Sequence, residues 1–178
     1  MPTNLAGWIS ADVDTFVSET LADQHLLEQF SCGNDALDTW LHKHALHAQS
    51  MRTARTFVWN AGDQLVVAYF SLAAHLIVRA DLPPRIGRGA PDAIPSVLLA
   101  RLALDRSLHG QGFGGELLVD ALTRAVQASE VAAARLVVVD AINEAAASFY
   151  EHHGFTAVPS NRQRLVQKIS DIAAALDG

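Results

Sequence analysis

The stretch "HGQGFGGELL", residues 109–118, places four glycines in its first seven positions and then turns apolar. Glycine is used where φ must be positive or where something must approach the backbone closely. Just before it, "VLLARLALD" (97–105) is a nearly continuous apolar run, as expected of a strand covered on both faces. After it, from Gly112, the apolar positions Leu117, Leu118, Ala121, Leu122 and Ala125 recur with helical period, and "RLVVVDA" (135–141) is another buried strand. Strand, glycine loop, helix and strand make a βαβ unit.

Several readings of this loop meet different demands elsewhere in the chain. A plain strand-to-helix connection needs only one or two glycines. A nucleotide triphosphate loop needs Lys and Ser or Thr directly after its last glycine, whereas Glu116 follows Gly115, which excludes it. A dinucleotide site fits Gly110, Gly112 and Gly115 as G-x-G-x-x-G, with Asp140 near the position of a ribose-binding acid. Against it, Arg106 to His109 separate the strand from the first glycine, and few residues follow Asp140 to complete the sheet. The remaining reading is a cradle for a pyrophosphate, in which successive backbone N–H groups and the helix dipole face the anion and no metal is needed.

Upstream, Asn34 is placed to cap one amphipathic helix with apolar positions Leu37, Trp40, Leu41, Ala45 and Ala48. "ARTFVWN" and the run 65–78, separated by "AGDQ", read as an antiparallel hairpin. Residues 80–96, with four prolines and two glycines, predict an exposed, arginine-rich loop without regular structure. Downstream, Asn143 caps a short helix ended by Gly154, and "RQRLVQKI" supplies a last strand.

A chain of 178 residues, half of them hydrophobic, suits one compact domain over 1–178. Cys32 is the only cysteine and cannot form an internal disulfide, and the first residues carry acids where a secretory signal carries positive charge, so a cytoplasmic protein is expected. The longest apolar run, 14 residues at 65–78, is too short to span a bilayer. The net charge of −6 is unevenly placed: residues 1–35 hold six acids and no Lys or Arg, whereas residues 36–101 hold seven bases against four acids. The acidic total argues against a generally basic nucleic-acid binder, while the middle third, at +3, is a candidate surface for phosphates.

At this point the residues resemble the GNAT acyl-CoA N-acyltransferases, whose pyrophosphate loop reads Gln/Arg-x-x-Gly-x-Gly/Ala. The matching stretch is "HGQGFG", His109 to Gly114, with His109 where the family usually has Gln or Arg. About thirty residues on, "NEAAASFYEHHGF" is similar to the family's Asn-x-x-Ala-x-x-Phe-Tyr and Gly-Phe signature through Asn143, Ala146, Phe149, Tyr150, Gly154 and Phe155. "FSCGNDALDTWL" from Phe30, "RTFV" from Arg55 and "YFSL" from Tyr69 resemble the branch of bacterial toxins that acetylate aminoacyl-tRNA. The resemblance covers about residues 20–168. It implies an α/β fold with a central mixed, mostly antiparallel sheet flanked by helices, and acetyl-CoA as cosubstrate without a metal. It further implies aminoacyl-tRNA as substrate, an antitoxin partner of the ribbon-helix-helix class and a homodimer.

Acetyl transfer from a thioester to an amine needs a neutral amine, a positioned carbonyl and a proton for the departing thiolate. The resemblance puts the pantetheine arm on the main chain of Leu102, Ala103 and Leu104. The pyrophosphate falls to His109, Gly110, Gln111, Gly112, Gly114 and Gly115, with Asn143 and Phe149 also against the cofactor. Tyr150 is the candidate proton donor, since a phenol with an ordinary pKa of about 10 is protonated at neutral pH; the alternative is an aromatic packed inside its helix beside Phe149. Lys43, Arg52, Arg55, Arg85 and Arg88 are the candidate tRNA phosphate contacts. Cys32 has no neighbouring base in sequence, and of His42, His44 and His47 only the last two share a helix face, so neither a nucleophile nor a metal site is expected. The residues alone leave open a small-molecule amine or protein amino group as acceptor, or a silent CoA-binding module.

Overall fold

The computed structural model describes residues 16–178, so Asp12 and Asp14 of the acidic N-terminal segment lie outside the described residues. Seven strands, β1 (Glu19–Thr20), β2 (Arg55–Asn60), β3 (Val66–Val78), β4 (Ala93–Leu104), β5 (Leu136–Asp140), β6 (Thr156–Val158) and β7 (Asn161–Lys168), form one sheet ordered β1-β2-β3-β4-β5-β7-β6. The helices are α1 (Asp35–Lys43), α2 (Ala45–Ser50), α3 (Pro84–Gly87), α4 (Phe113–Val131), α5 (Glu144–His152) and α6 (Ile169–Asp177). The β4–β5 pair is parallel, and β1–β2, β5–β7 and β6–β7 are antiparallel, which is the mixed α/β sheet expected from the sequence. The βαβ unit is β4–α4–β5, and Leu117, Leu118, Ala121, Leu122 and Ala125 of α4 are all buried.

Two compact units share the chain, the first ending at Ser71 and resuming over Arg101–Asp120, the second comprising Leu72–Ala100 and Ala121–Gly178. The first is built on Leu21, Phe30, Leu41, Ala45, Val58, Val66, Tyr69 and Ala103. Asn34 caps α1 as its position predicts, its Oδ1 accepting from the Leu37 N–H at 3.0 Å. The single amphipathic helix expected over Leu37–Ala48 is instead two helices, because His44, at φ −123°, leaves the helical region. The break re-aims α2 so that the Gln49 amide donates to the Leu21 carbonyl and accepts from the Thr56 N–H. Leu41 and Ala45 still reach the core, while His42, His44 and His47 are exposed.

The second unit is built on Ile77, Leu82, Ile86, Ala90, Ile94, Leu136, Val138, Val158 and Val166. Here the expectation of an irregular exposed loop over 80–96 is corrected. Pro84 opens α3, where its fixed φ suits a first turn and its missing N–H costs nothing. Four apolar side chains, Leu82, Ile86, Ala90 and Ile94, fix the segment to the core, and β4 already begins at Ala93. The run 65–78 is also less buried than expected: β3 is continuously buried only over its first seven residues, and beyond them Ile77 reaches the core while Leu76 and Val78 face solvent. The strand β6 and the helix α6 carry too little sequence signal to have been expected. Among the described residues no helix is long and apolar enough to cross a membrane.

Candidate active site

In the first unit, β4 runs through Leu102, Ala103 and Leu104 directly into the glycine loop. The parallel register with β5 covers Ser96 to Leu99, opposite Leu136 to Val139, and stops there. Five further residues of β4, Ala100 to Leu104, therefore continue beyond the last rung of that pairing. A strand edge without a ladder partner offers N–H and C=O groups to an extended ligand.

Asp105, which sequence reasoning passed over, fixes how that strand turns. It is 4% exposed, its Oδ2 accepting from the Ser31 N–H at 3.0 Å and its Oδ1 from the N–H and hydroxyl of Ser107 at 3.0 and 2.8 Å. The Asp-x-Ser spacing is the available sequence signal, since Asp caps its own backbone two residues on. This cap holds a 3₁₀ turn over Arg106–Leu108, anchored by the fully buried Leu108.

The loop then rises to α4. Gly110 and Gly112 have φ of +74° and +83°, and a Cβ at either would meet nothing within 4 Å, so these glycines serve conformation and leave the outer face of the loop open. Gly114 and Gly115 lie in the first turn of α4, whose leading N–H groups have no partner within the helix. The His109 ring nitrogen Nε2 lies 2.9 Å from the Leu104 carbonyl, and the Gln111 amide donates to the Ser107 carbonyl. Both side chains thus turn back onto the main chain and brace the loop.

The second unit holds the other signature. Asn143 accepts from the Ala146 N–H at 2.8 Å and caps α5. Ala147 and Tyr150 form its buried face, Phe149 packs edge-on to Tyr150 at 5.3 Å, and Phe155 packs on Tyr150 at 5.6 Å. Gly154, at φ +96°, turns the chain so that Phe155 can do so. The Tyr150 side chain is 8% exposed, and its hydroxyl makes no hydrogen bond to any described residue. Burial pushes the phenol up to about 12, so it holds its proton across the neutral range and is a donor rather than a base.

Asp140, the acid that a dinucleotide site would require, is committed elsewhere: its two oxygens accept from Nε and Nη2 of Arg164 at 2.8 and 2.9 Å. With β5 flanked by the antiparallel β7, that reading of the loop is excluded. Cys32 is half-buried, and burial together with the hydrogen bond to Asp38 pushes its thiol up to about 11, the opposite of an activated nucleophile. Of the candidate phosphate contacts, Lys43, Arg52 and Arg55 are exposed in the first unit. Arg85 and Arg88 are exposed in the second, Arg85 donating to the Thr156 hydroxyl at 2.9 Å.

An open strand edge, a braced glycine loop at a helix N-terminus and a protonated buried tyrosine are parts that acyl transfer from coenzyme A to an amine requires. Residues 53–157 match the acetyltransferase (GNAT) domain, and the chain belongs to this family of acetyl-CoA-dependent N-acetyltransferases. It is 36% identical over 156 residues to a tRNA-acetylating toxin of Mycobacterium tuberculosis, covering 88% of this chain and 93% of that one. It is also similar to AtaT complexed with acetyl-methionyl-tRNAfMet, at 31% identity and a TM-score of 0.82, covering 90% and 98% of the two chains. A tyrosine-to-phenylalanine mutant of AtaT bound to the C-terminus of the antitoxin AtaR and to acetyl-CoA matches at 29% identity and a TM-score of 0.77, covering 91% and 98%.

Proposed function

We propose that this acetyltransferase modifies the α-amino group of aminoacyl-tRNA and thereby acts as a translation-blocking toxin of the cytoplasm. The observation that carries the chemistry is the edge of β4 from Ala100 to Leu104, free of β5 and leading into the loop at Gly110 and Gly112. The observation that carries the acceptor is the likeness, along most of both chains, to a toxin that acetylates tRNA.

In this reading the main chain at Leu102, Ala103 and Leu104 holds the pantetheine arm, and the loop from His109 through Gly115 holds the pyrophosphate against the N-terminus of α4. Asn143 and Phe149 border the cofactor. The neutral α-amine attacks the thioester carbonyl carbon, a C–N bond forms, and a backbone N–H of β4 steadies the oxyanion. The C–S bond then breaks, the thiolate sulfur takes the proton of the Tyr150 hydroxyl, and the proton lost by the amine returns through water to the Tyr150 oxygen, restoring the phenol. An α-amino group has a pKa of about 8 or below, so a useful fraction is neutral at pH 7 without an enzymic base. Lys43, Arg52, Arg55, Arg85 and Arg88 contact phosphates of the tRNA.

A partner antitoxin of the ribbon-helix-helix class silences the enzyme, and the acidic segment that includes Asp23 and Glu28 is its proposed docking surface. The active form is a homodimer, which sedimentation of the purified chain tests. The substrate assignment is tested by expressing the protein in bacteria, recovering tRNA under acid, and digesting it to nucleosides. N-acetylated aminoacyl-adenosine should appear only with active enzyme; its absence during growth arrest would contradict the assignment.

A further inference from the structure

Arg101 occupies β4 one residue before the segment assigned to the pantetheine arm, and among the described residues of the first unit it is the half-buried cation that no acid neutralises. Its guanidinium carbon lies 3.9 Å from the centre of the Trp40 ring. Trp40 itself stacks on Tyr69 at 6.1 Å with the rings 14° apart, and Tyr69 is fully buried and donates to the Leu37 carbonyl at 2.7 Å. The indole is thereby a fixed platform, and the guanidinium lies over its face. Elsewhere Arg79 pairs with Asp92 and Arg164 with Asp140, but Arg101 makes no hydrogen bond or ion pair to any described residue.

A partly desolvated guanidinium with five N–H donors and no acceptor is costly unless something else supplies one. Its contact with an aromatic face offsets part of that cost and leaves the donor edge unused. A planar fork of this kind suits a phosphate, which it binds through two oxygens at once. Lys43 lies three residues beyond Trp40 on α1, so the two are neighbours on the helix surface and a second cation stands beside the platform. In the binding mode proposed above, the glycine loop takes the pyrophosphate at the C-terminal end of β4, so the arm runs back along the strand and its thioester lies toward Arg101.

We propose that the Arg101 guanidinium, held over the Trp40 ring with Lys43 on the same helix face, is a phosphate site for the single-stranded acceptor end of the tRNA that places the aminoacyl group at the thioester. The inference rests on the aminoacyl-tRNA reading given above. It assigns to Arg101 and Trp40 a positioning role toward the acceptor and none toward acetyl-CoA.

The test uses the full chain and two acceptors, charged tRNA and an aminoacyl ester of adenosine that carries no phosphate. Arg101→Met keeps the aliphatic stem over Trp40 and removes the charge. It should raise KM for charged tRNA roughly 10- to 100-fold, the range for losing one charge-assisted contact, with kcat and acetyl-CoA affinity close to wild type. The slope of log affinity against log salt should fall by about 0.7, as for one phosphate of a single strand. Acetylation of the phosphate-free ester should be unchanged. Arg101→Lys, which retains charge but loses the planar fork, should give a smaller rise in KM at an unaltered melting temperature, and decides the matter should Arg101→Met fold poorly. An unchanged KM for charged tRNA, or an equal loss on the phosphate-free ester, would overturn the proposal. Failure of the aminoacyl-tRNA reading is seen separately, as a wild-type enzyme that leaves charged tRNA unmodified.

Discussion

Leu99 and Val139 form the last paired rung between β4 and β5, and beyond it β4 extends through Leu104 while β5 ends at Asp140. The strand edge so exposed leads to Gly112, whose φ of +83° faces open space. Gly112→Asp adopts that backbone with less strain than most residues, because Asp and Asn tolerate the left-handed region. In the proposed binding mode it also sets a carboxylate against the pyrophosphate. Acetyl-CoA affinity by calorimetry should fall at least about tenfold, and Gly112→Asn, which is neutral and of the same shape, should lose much less. Equal affinities for Gly112→Asp and the wild type would remove the loop from the cofactor site.

Tyr150→Phe deletes a hydroxyl that has no hydrogen-bond partner among the described residues, so the fold should barely register it. Turnover should drop by roughly 10²- to 10⁴-fold with acetyl-CoA affinity intact, the pattern of a lost general acid. Rapid turnover in the variant would reduce Tyr150 to a packing residue.

The pH behaviour follows from burial. With its phenol pushed up to about 12, Tyr150 remains protonated, so loss of the general acid should produce no alkaline limb in kcat below about pH 11. The same shift bears on stability. The folded pKa lies above the unfolded value of about 10, so its contribution is whole below pH 10 and lost as pH rises from about 10 to 12. Urea unfolding across that range checks the sign. Cys32, pushed up to about 11, should react with iodoacetamide only slowly at pH 7.5, and rapid alkylation of the native protein would contradict its assigned surroundings.

Gly154 is bound by two constraints at once, a φ of +96° and a would-be Cβ 2.9 Å from the Gln167 amide nitrogen. Gly154→Ala should cost about 1–3 kcal/mol, read as a lower urea midpoint at unchanged slope. Because the turn at Gly154 sets Phe155 against Tyr150, turnover should fall further than stability alone explains.

The legibility of this chain in its sequence divides along physical lines. Elements whose signal is local and periodic were readable: the Asn34 and Asn143 caps, the buried face of α4, and the glycines whose positive φ no other residue matches cheaply. Residues 80–96 read as a loop because proline breaks the interior of regular elements, whereas Pro84 sits where a helix accepts it and Ile86 and Ile94 supply the anchoring energy. The break at His44 is tertiary, set by what Gln49 must reach, and no local pattern announces it. In the candidate site, Tyr150 and the loop were visible as motifs. The stacking of Arg101 on Trp40 joins residues sixty-one positions apart, and only the fold reveals it.

The most direct test is transfer of label from acetyl-CoA to a mixture of charged tRNAs, with uncharged tRNA, polyamines and lysine-containing peptides offered in parallel. The account predicts label on the α-amino group of aminoacyl-tRNA, abolished by prior deacylation of the tRNA and reduced by Tyr150→Phe to the slow rate given above. Label on polyamines or peptides with charged tRNA untouched would contradict it.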